Sequence, residues 1–276
     1  STGATLNNYA TFSIIGNFIN QSTILNTGDL KNETNGTITN PGTIDNRLLL
    51  VNNSTLNTTG SLLNKSTGSL VNKSILNNNT GGTLDNDGTL TNSTGATLNN
   101  YATFTNDNLI KGYGTIKIFK SSTLTNNEIL QVNNILRNYG TITNNKTISS
   151  NDSCIFENYN LLTNVATATI TTNNLFTNKK LNATNSDSVD LNGITGIINN
   201  QGSIVHNKNT YTNNGTITNY TTGTIQNNNT FIVSSTGTIS NSNLITVNSA
   251  FTNSGTITNN NGKTITINKT FTNTNI

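Results

Sequence analysis

The sequence predicts an all-β fold, a single-stranded parallel β-solenoid, and three observations lead to this prediction. Large apolar residues recur along almost the whole chain, most of them are followed two positions later by Asn, and the steps between them are six or eight residues through residue 176. Side chains on a strand alternate between two faces, so an even step keeps each large apolar residue on the same face. A short repeat of this kind is typical of coils that stack around one interior. The even-numbered run is Leu6, Phe12, Phe18, Ile24, Leu30, Ile38, Ile44, Leu50, Leu56, Leu62, Leu70, Leu76, Leu84, Leu90, Leu98, Phe104, Ile110, Ile116, Leu124, Leu130, Leu136, Ile142, Ile148, Phe156, Leu162, Ile170 and Phe176.

One repeat illustrates why each segment is predicted to be a strand with an inner and an outer face. In Gly36-Thr37-Ile38-Thr39-Asn40, alternation places Gly36, Ile38 and Asn40 on the inner face and the two Thr residues on the outer face. The small inner residue is expected to let the wall bend near a corner, where side chains would collide. The inner Asn is expected to suit the turn, because it tolerates left-handed backbone angles and can bond to nearby backbone groups. It is also expected to hydrogen bond to the Asn of the next coil as a ladder.

Three strands per coil predict a triangular cross-section with about 18–20 residues per coil, depending on the mixture of six- and eight-residue repeats. A two-sided coil stays open as an alternative, and the handedness is undetermined. The prediction treats residues 1–276 as one continuous solenoid, because each repeat needs only its neighbours. An irregular segment or protrusion is expected at 179–210, where the pattern blurs and then resumes on odd-numbered positions such as Ile204, Tyr211 and Ile217.

Composition excludes several classes of protein. Of the 276 residues, 9% are charged and the net charge is +3, with no dense basic stripe that would bind nucleic acid. No run of 18 apolar residues occurs, so no membrane-spanning segment is predicted. The single Cys154 cannot form an internal disulfide. The chain contains no Met and begins with Ser-Thr-Gly in mid-repeat, as is expected after signal cleavage or truncation.

The sequence predicts no enzyme, no cofactor and no metal site. The segment Asn185-Ser186-Asp187, followed by Asp190, is similar to the Asn-Thr-Asp segment of polygalacturonase-type hydrolases, but the other motifs of those enzymes are missing. Glycoside hydrolysis needs two carboxylates placed across a cleft. A solvated loop is therefore the preferred interpretation. The segment Asp85-Asn86-Asp87-Gly88 resembles part of a calcium loop and is interpreted as a turn.

The outer face is rich in Thr and Asn. Thr-x-Thr pairs occur irregularly, although ice-binding solenoids need them at one position of every coil, so Thr is interpreted mainly as a good strand former. Asn-x-Ser/Thr sequons are dense, and an inner Asn would be shielded from glycosylation. The candidate glycosylation sites are Asn35, Asn57, Asn145, Asn182 and Asn214.

The repeated motif Gly-Thr-Ile-Thr-Asn resembles the repeats in the β-solenoid stalks of filamentous-haemagglutinin-type adhesins. It also resembles those of the Thr/Asn-rich adhesin-like surface proteins of prokaryotes. This resemblance implies a secreted, extracellular protein at the cell surface. The repeat reaches both ends of the sequence without a cap, which predicts head-to-tail assembly with further copies of itself into a filament or surface layer. The alternative is an adhesin or an ice- or carbohydrate-binding solenoid, with surface glycans as partners. The residues expected at the assembly ends are Leu6, Phe12, Ile265, Ile267 and Phe271.

Overall fold

The structure, a computed structural model, describes residues 3–178, 197–208 and 210–274. These residues form 39 strands and no helix, and they fall into two compact units, Ser1–Ile135 and Leu136–Ile276. In each unit every strand pairs in parallel with the third strand along the chain, which produces three sheets visited in turn. This confirms the predicted β-solenoid with a roughly triangular, three-sheet coil.

The first unit contains the earlier strands of the three sheets. Its first sheet comprises β1 (Thr5–Asn8), β4 (Thr23–Asn26), β7 (Thr43–Asn46), β10 (Ser61–Asn64), β13 (Thr83–Asn86), β16 (Thr103–Asn106) and β19 (Thr123–Asn126). Its second sheet comprises β2 (Thr11–Ile14), β5 (Asp29–Asn32), β8 (Leu49–Asn52), β11 (Ser69–Asn72), β14 (Thr89–Asn92), β17 (Leu109–Gly112) and β20 (Ile129–Val132). Its third sheet comprises β3 (Asn17–Ile19), β6 (Thr37–Asn40), β9 (Thr55–Thr58), β12 (Ile75–Asn78), β15 (Thr97–Asn100) and β18 (Thr115–Ile118). The boundary between the units falls within β21 (Ile135–Asn138).

The second unit repeats this arrangement. Its first sheet comprises β22 (Thr141–Asn144), β25 (Leu161–Asn164), β28 (Ile197–Asn200), β31 (Thr216–Asn219), β34 (Thr238–Asn241) and β37 (Thr256–Asn259). Its second sheet comprises β23 (Thr147–Ser150), β26 (Thr169–Thr172), β29 (Ser203–His206), β32 (Thr224–Asn227), β35 (Leu244–Val247) and β38 (Thr264–Ile267). Its third sheet comprises β24 (Ile155–Asn158), β27 (Leu175–Asn178), β30 (Tyr211–Asn213), β33 (Phe231–Val233), β36 (Phe251–Asn253) and β39 (Phe271–Asn273).

The register stacks like residues on one another. Leu62 pairs with Ile44 in the coil before it and with Leu84 in the coil after it, and all three are fully buried. Stacked inner residues are mostly 18, 20 or 22 positions apart, which matches the mixture of six- and eight-residue repeats. The predicted inner and outer faces are therefore correct.

Glycine at the corners has the predicted reason and a second one, which is the stacked backbone of the preceding coil. A Cβ atom at Gly60 would overlap the backbone carbonyl of Gly42 in the preceding coil. The obstacle at Gly60 is therefore the stacked backbone of the preceding coil, whereas a Cβ atom at Gly36 would also overlap the Asn32 side chain of the neighbouring face of the same coil. Small residues are needed here because a Cβ atom would overlap neighbouring atoms at these corners.

The expected irregular segment falls largely outside the described residues, which omit 179–196 and 209. The described part of the segment is regular, since Ile197–Asn200 and Ser203–His206 are strands of the first and second sheets. Inner positions change from even to odd numbers between His206 and Tyr211, both of which are fully buried. The extra residue that shifts the pattern therefore lies in the corner between β29 and β30.

Candidate assembly surface

The surface that one coil presents to the next is built from strand edges, a row of apolar side chains and a row of Asn side chains. We call this surface the coil face, with an N-terminal face toward the preceding coil and a C-terminal face toward the following one. In the first sheet Leu6 lies against Ile24, and Asn8 lies against Asn26. The same three components recur at successive coils, so the N-terminal face of one coil matches the C-terminal face of another.

Inner Asn side chains form a continuous ladder in the first sheet of the first unit. Asn8 donates from Nδ2 to Oδ1 of Asn26 over 2.7 Å, and five further steps of the same length reach Asn126. A buried amide without a partner costs free energy, so the ladder satisfies groups that the apolar interior would otherwise penalise. This confirms the Asn ladder. The rungs are Asn8, Asn26, Asn46, Asn64, Asn86, Asn106 and Asn126.

Inner Asn residues contribute the hydrogen bonds of their side-chain amides and have ordinary strand backbone angles. Among the described residues other than Gly, positive φ occurs only at Asn35 and Ser121, neither of which is an inner Asn. The expectation that inner Asn adopts left-handed angles is therefore wrong. Its position inside a regular strand places the amide next to its counterpart in the next coil.

The ladder has a direction. In the described inner rows each Asn-to-Asn hydrogen bond runs from Nδ2 of the earlier coil to Oδ1 of the later coil, as from Asn144 to Asn164 over 2.9 Å. The second Nδ2 hydrogen binds a backbone carbonyl, which for Asn144 is Thr169 O at 3.0 Å. Because both amide hydrogens have acceptors, the amide cannot rotate by half a turn without losing them. A C-terminal face therefore presents donors, and an N-terminal face presents acceptors.

At three breaks in the ladder, the Oδ1 atom of the Asn that follows the break is left without a donor. The Oδ1 atoms of Asn32, Asn78 and Asn227 are buried without a hydrogen bond partner in the described structure. The inner residue one coil earlier is Ile14, Thr58 or His206, respectively. None of these three is an Asn that could donate to Oδ1. The direction of the ladder therefore decides which atom is left unpaired at a break.

The five residues predicted at the assembly ends lie in the outermost described coils. Leu6 is 38% exposed and Phe271 is 50% exposed, although the equivalent inner residues of neighbouring coils are nearly all fully buried. Phe12, Ile265 and Ile267 are partly exposed. These side chains belong to the same inner rows as the core.

Aromatic residues form a column in the third sheet of the second unit, which the sequence interpretation did not identify. Ring centroids in this column are 4.8 to 5.4 Å apart, close to the spacing of paired strands. The signal was present as aromatic residues that recur at one position of successive coils. The column contains Phe156, Phe176, Tyr211, Phe231, Phe251 and Phe271.

The candidate glycosylation sites occupy outer positions where they are described. Asn35 is exposed in a corner, and Asn57, Asn145 and Asn214 are partly exposed. Asn57 Oδ1 also accepts a hydrogen bond from Asn77 Nδ2. Asn182 lies outside the described residues.

Among the titratable groups of the described ranges, no group of three or more His, Cys, Asp or Glu side chains could hold a metal ion. Asp187 and Asp190 lie outside the described residues. Burial raises the pKa of the Cys154 thiol to about 12, because desolvation disfavours the thiolate, while a hydrogen bond with Ser150 acts in the opposite direction. The thiol is therefore protonated and unreactive near neutral pH.

Comparison with known proteins identifies no relative: no protein-family model, curated protein or solved structure matches the chain. Within the part of the chain that the structure describes, no helix is long and apolar enough to cross a membrane.

Proposed function

We propose that this chain is an extracellular structural protein whose solenoids stack head to tail into a filament or surface layer. The observation that carries the proposal is the complementarity of the two coil faces. A C-terminal face offers Asn Nδ2 donors and an N-terminal face offers Asn Oδ1 acceptors, as in the bond from Asn241 to Asn259. A junction between copies would repeat a contact that the solenoid already makes between its own coils.

The direction of the ladder favours one mode of association. Two N-terminal faces would oppose acceptor to acceptor, and two C-terminal faces would oppose donor to donor. Only the head-to-tail contact pairs the amides and keeps the strands parallel. Such a contact is heterologous and does not close on itself, so it continues as a fibre.

The apolar rows support the same partner. Leu6 is exposed in the first described coil and Phe271 in the last, and further copies would cover both with residues of the same kind. Burial of apolar surface provides the driving force, and a new rung of backbone hydrogen bonds provides register. The extracellular location is supported by the resemblance to Thr/Asn-rich adhesin-like proteins.

Light scattering and negative-stain electron microscopy test the proposal. We expect the 276-residue chain to form unbranched fibres at high concentration. The double substitution Ile267→Pro and Phe271→Asp should restrict it to short rods. Pro removes a backbone N–H donor at the strand edge, and Asp places a charge in the row of apolar side chains. Thr272→Asp is the matched control, since Thr272 lies on the outer face of the same strand. A wild-type chain that stays monomeric would overturn the proposal.

A further inference from the structure

A groove on the outer surface of the first unit combines an aromatic ring with uncharged polar side chains. Its volume is about 490 Å³, within the range typical of small-molecule sites. None of the side chains around it carries a charge at neutral pH. The groove is lined by Thr59, Asn77, Asn79, Thr80 and Tyr101.

The groove lies at a corner whose length varies from coil to coil. The corner that contains Tyr101 has two residues between β15 and β16, whereas the corners at 79–82 and 119–122 have four. The eight-residue repeats therefore place a longer corner on each side of Tyr101. Gly81, with a φ of 87°, permits the longer turn at 79–82.

The Tyr101 ring is held in one orientation. It stacks on Phe119 with ring centroids 4.0 Å apart and an angle of 17° between the planes. Tyr101 is nevertheless 37% exposed. The other lining residues come from coils that precede Tyr101, so the groove adjoins the part of the ring that Phe119 does not cover. Tyr101 therefore provides a preformed flat apolar platform.

An outer amide row orients the polar side of the groove. Asn77 Nδ2 donates to Asn57 Oδ1 over 2.8 Å, and Asn77 Oδ1 accepts from Asn99 Nδ2 over 2.9 Å. An amide nitrogen carries two hydrogens, and this row uses one of those on Asn77. The second hydrogen, together with the hydroxyls of Thr59 and Thr80, can bind a ligand without disturbing the row.

We infer that this groove binds a neutral hexopyranose unit of a polysaccharide. A pyranose ring has an apolar face of C–H groups that can stack on an aromatic platform and equatorial hydroxyls that pair with amides and Thr hydroxyls. Nucleic acid has bases that could also stack, but its phosphates need Lys or Arg, and the lining contains neither. A neutral sugar fits both the platform and the lack of charge. The site lies on the outer surface and does not depend on solenoid stacking.

Saturation-transfer NMR with cellohexaose, mannohexaose and chitohexaose tests the inference, with hexagalacturonate as the charged comparison. We expect at least one neutral probe to bind more tightly than hexagalacturonate. Tyr101→Ala should weaken that binding about tenfold or more, whereas Tyr101→Phe should keep it. Tyr113→Ala is the matched control, because Tyr113 is 42% exposed and does not line the groove.

Two further variants keep the test independent of folding. Asn77→Ala and Thr80→Ala leave the Tyr101 ring in place and should each weaken binding several-fold, with an unchanged melting temperature for Thr80→Ala. Circular dichroism would verify that every variant retains its strands. The inference is overturned if no neutral probe binds, if hexagalacturonate binds best, or if folded Tyr101→Ala binds as tightly as the wild type.

Discussion

Thr58 pairs with Asn78 of the following coil in the inner row of the third sheet, and the Oδ1 of Asn78 accepts no hydrogen bond in the described structure. In the coil before, Asn40 donates to Thr58 Oγ1 over 3.0 Å. The Thr58 hydroxyl donates to backbone carbonyls, and none of its hydrogen bonds reaches Asn78. The ladder is therefore interrupted at Thr58, which accepts a hydrogen bond from the preceding coil but does not donate one to the following coil.

Thr58→Asn should repair this break. The new Nδ2 would donate to Asn78 Oδ1, and the new Oδ1 would accept from Asn40. We expect the free energy of unfolding to rise by about 1 kcal/mol, because a buried acceptor gains its partner. Urea denaturation would measure the change. Thr91→Asn, on the outer face of β14, is the control, and an equal effect of both substitutions would contradict the role of the ladder.

The hydroxyl of Tyr211 is a further buried polar group without a partner among the described residues. Burial also raises the pKa of Tyr211, which is fully enclosed between Phe176 and Phe231. Tyr211→Phe should preserve the aromatic column and increase stability by about 1 kcal/mol, because it removes the desolvated hydroxyl. Tyr113→Phe at an exposed corner should change nothing. A loss of stability in Tyr211→Phe would mean that the hydroxyl has a partner.

Substitution on opposite faces of β13 tests the inner and outer assignment. Leu84 is fully buried between Leu62 and Phe104, so Leu84→Asp should destabilise the first unit by more than about 4 kcal/mol through burial of an unpaired charge. Thr83→Asp should cost far less, because Thr83 is partly exposed. Melting temperatures from circular dichroism would compare the two. Similar losses would mean that the faces are assigned incorrectly.

The Cys154 thiol predicts a pH dependence of stability. Its pKa is raised by burial from an ordinary value of 9.0 to about 12, so the folded protein resists releasing this proton. Below pH 9 the thiol is protonated in both the folded and the unfolded chain and does not affect stability. Between pH 9 and about 12 only the unfolded chain loses the proton, so the free energy of unfolding falls as pH rises through this range. Denaturation midpoints of the wild type and Cys154→Ser should diverge above pH 9. An equal pH dependence in both proteins would contradict this account.

The same thiol should resist labelling in the folded protein. At pH 8 a disulfide reagent should react slowly with native Cys154 and rapidly after addition of denaturant, because the reactive species is the thiolate. Absorbance of the released thiolate follows the reaction. Rapid labelling of the native protein would show that Cys154 is accessible.

Much of the fold could be predicted because the repeat is local and periodic. Even spacing alone identifies Ile142 and Ile170 as inner residues, and both are buried. The direction of the ladder could not be predicted, since it depends on the second acceptor of each amide in three dimensions. The groove beside Tyr101 was missed because it arises from corners of unequal length in coils that lie about 20 residues apart.

Long-range stacking also hides some relationships between aromatic residues. Tyr101 and Phe119 belong to different coils and come together only because their corners stack. Phe176 and Tyr211 are stacked although residues 179–196 intervene. A pattern of apolar spacing shows which face a residue occupies, but the residue above or below it depends on how many residues each corner contains.

A mixing experiment with two blocked variants tests head-to-tail stacking most directly. One variant carries Leu6→Asp and Phe12→Asp, which block the N-terminal face, and the other carries Ile267→Pro and Phe271→Asp, which block the C-terminal face. Sedimentation velocity should show each variant alone as a monomer of about 29.4 kDa, and an equimolar mixture should form a species of twice that mass. Dimers of either variant alone, or a mixture that stays monomeric, would contradict the proposed contact between unlike faces.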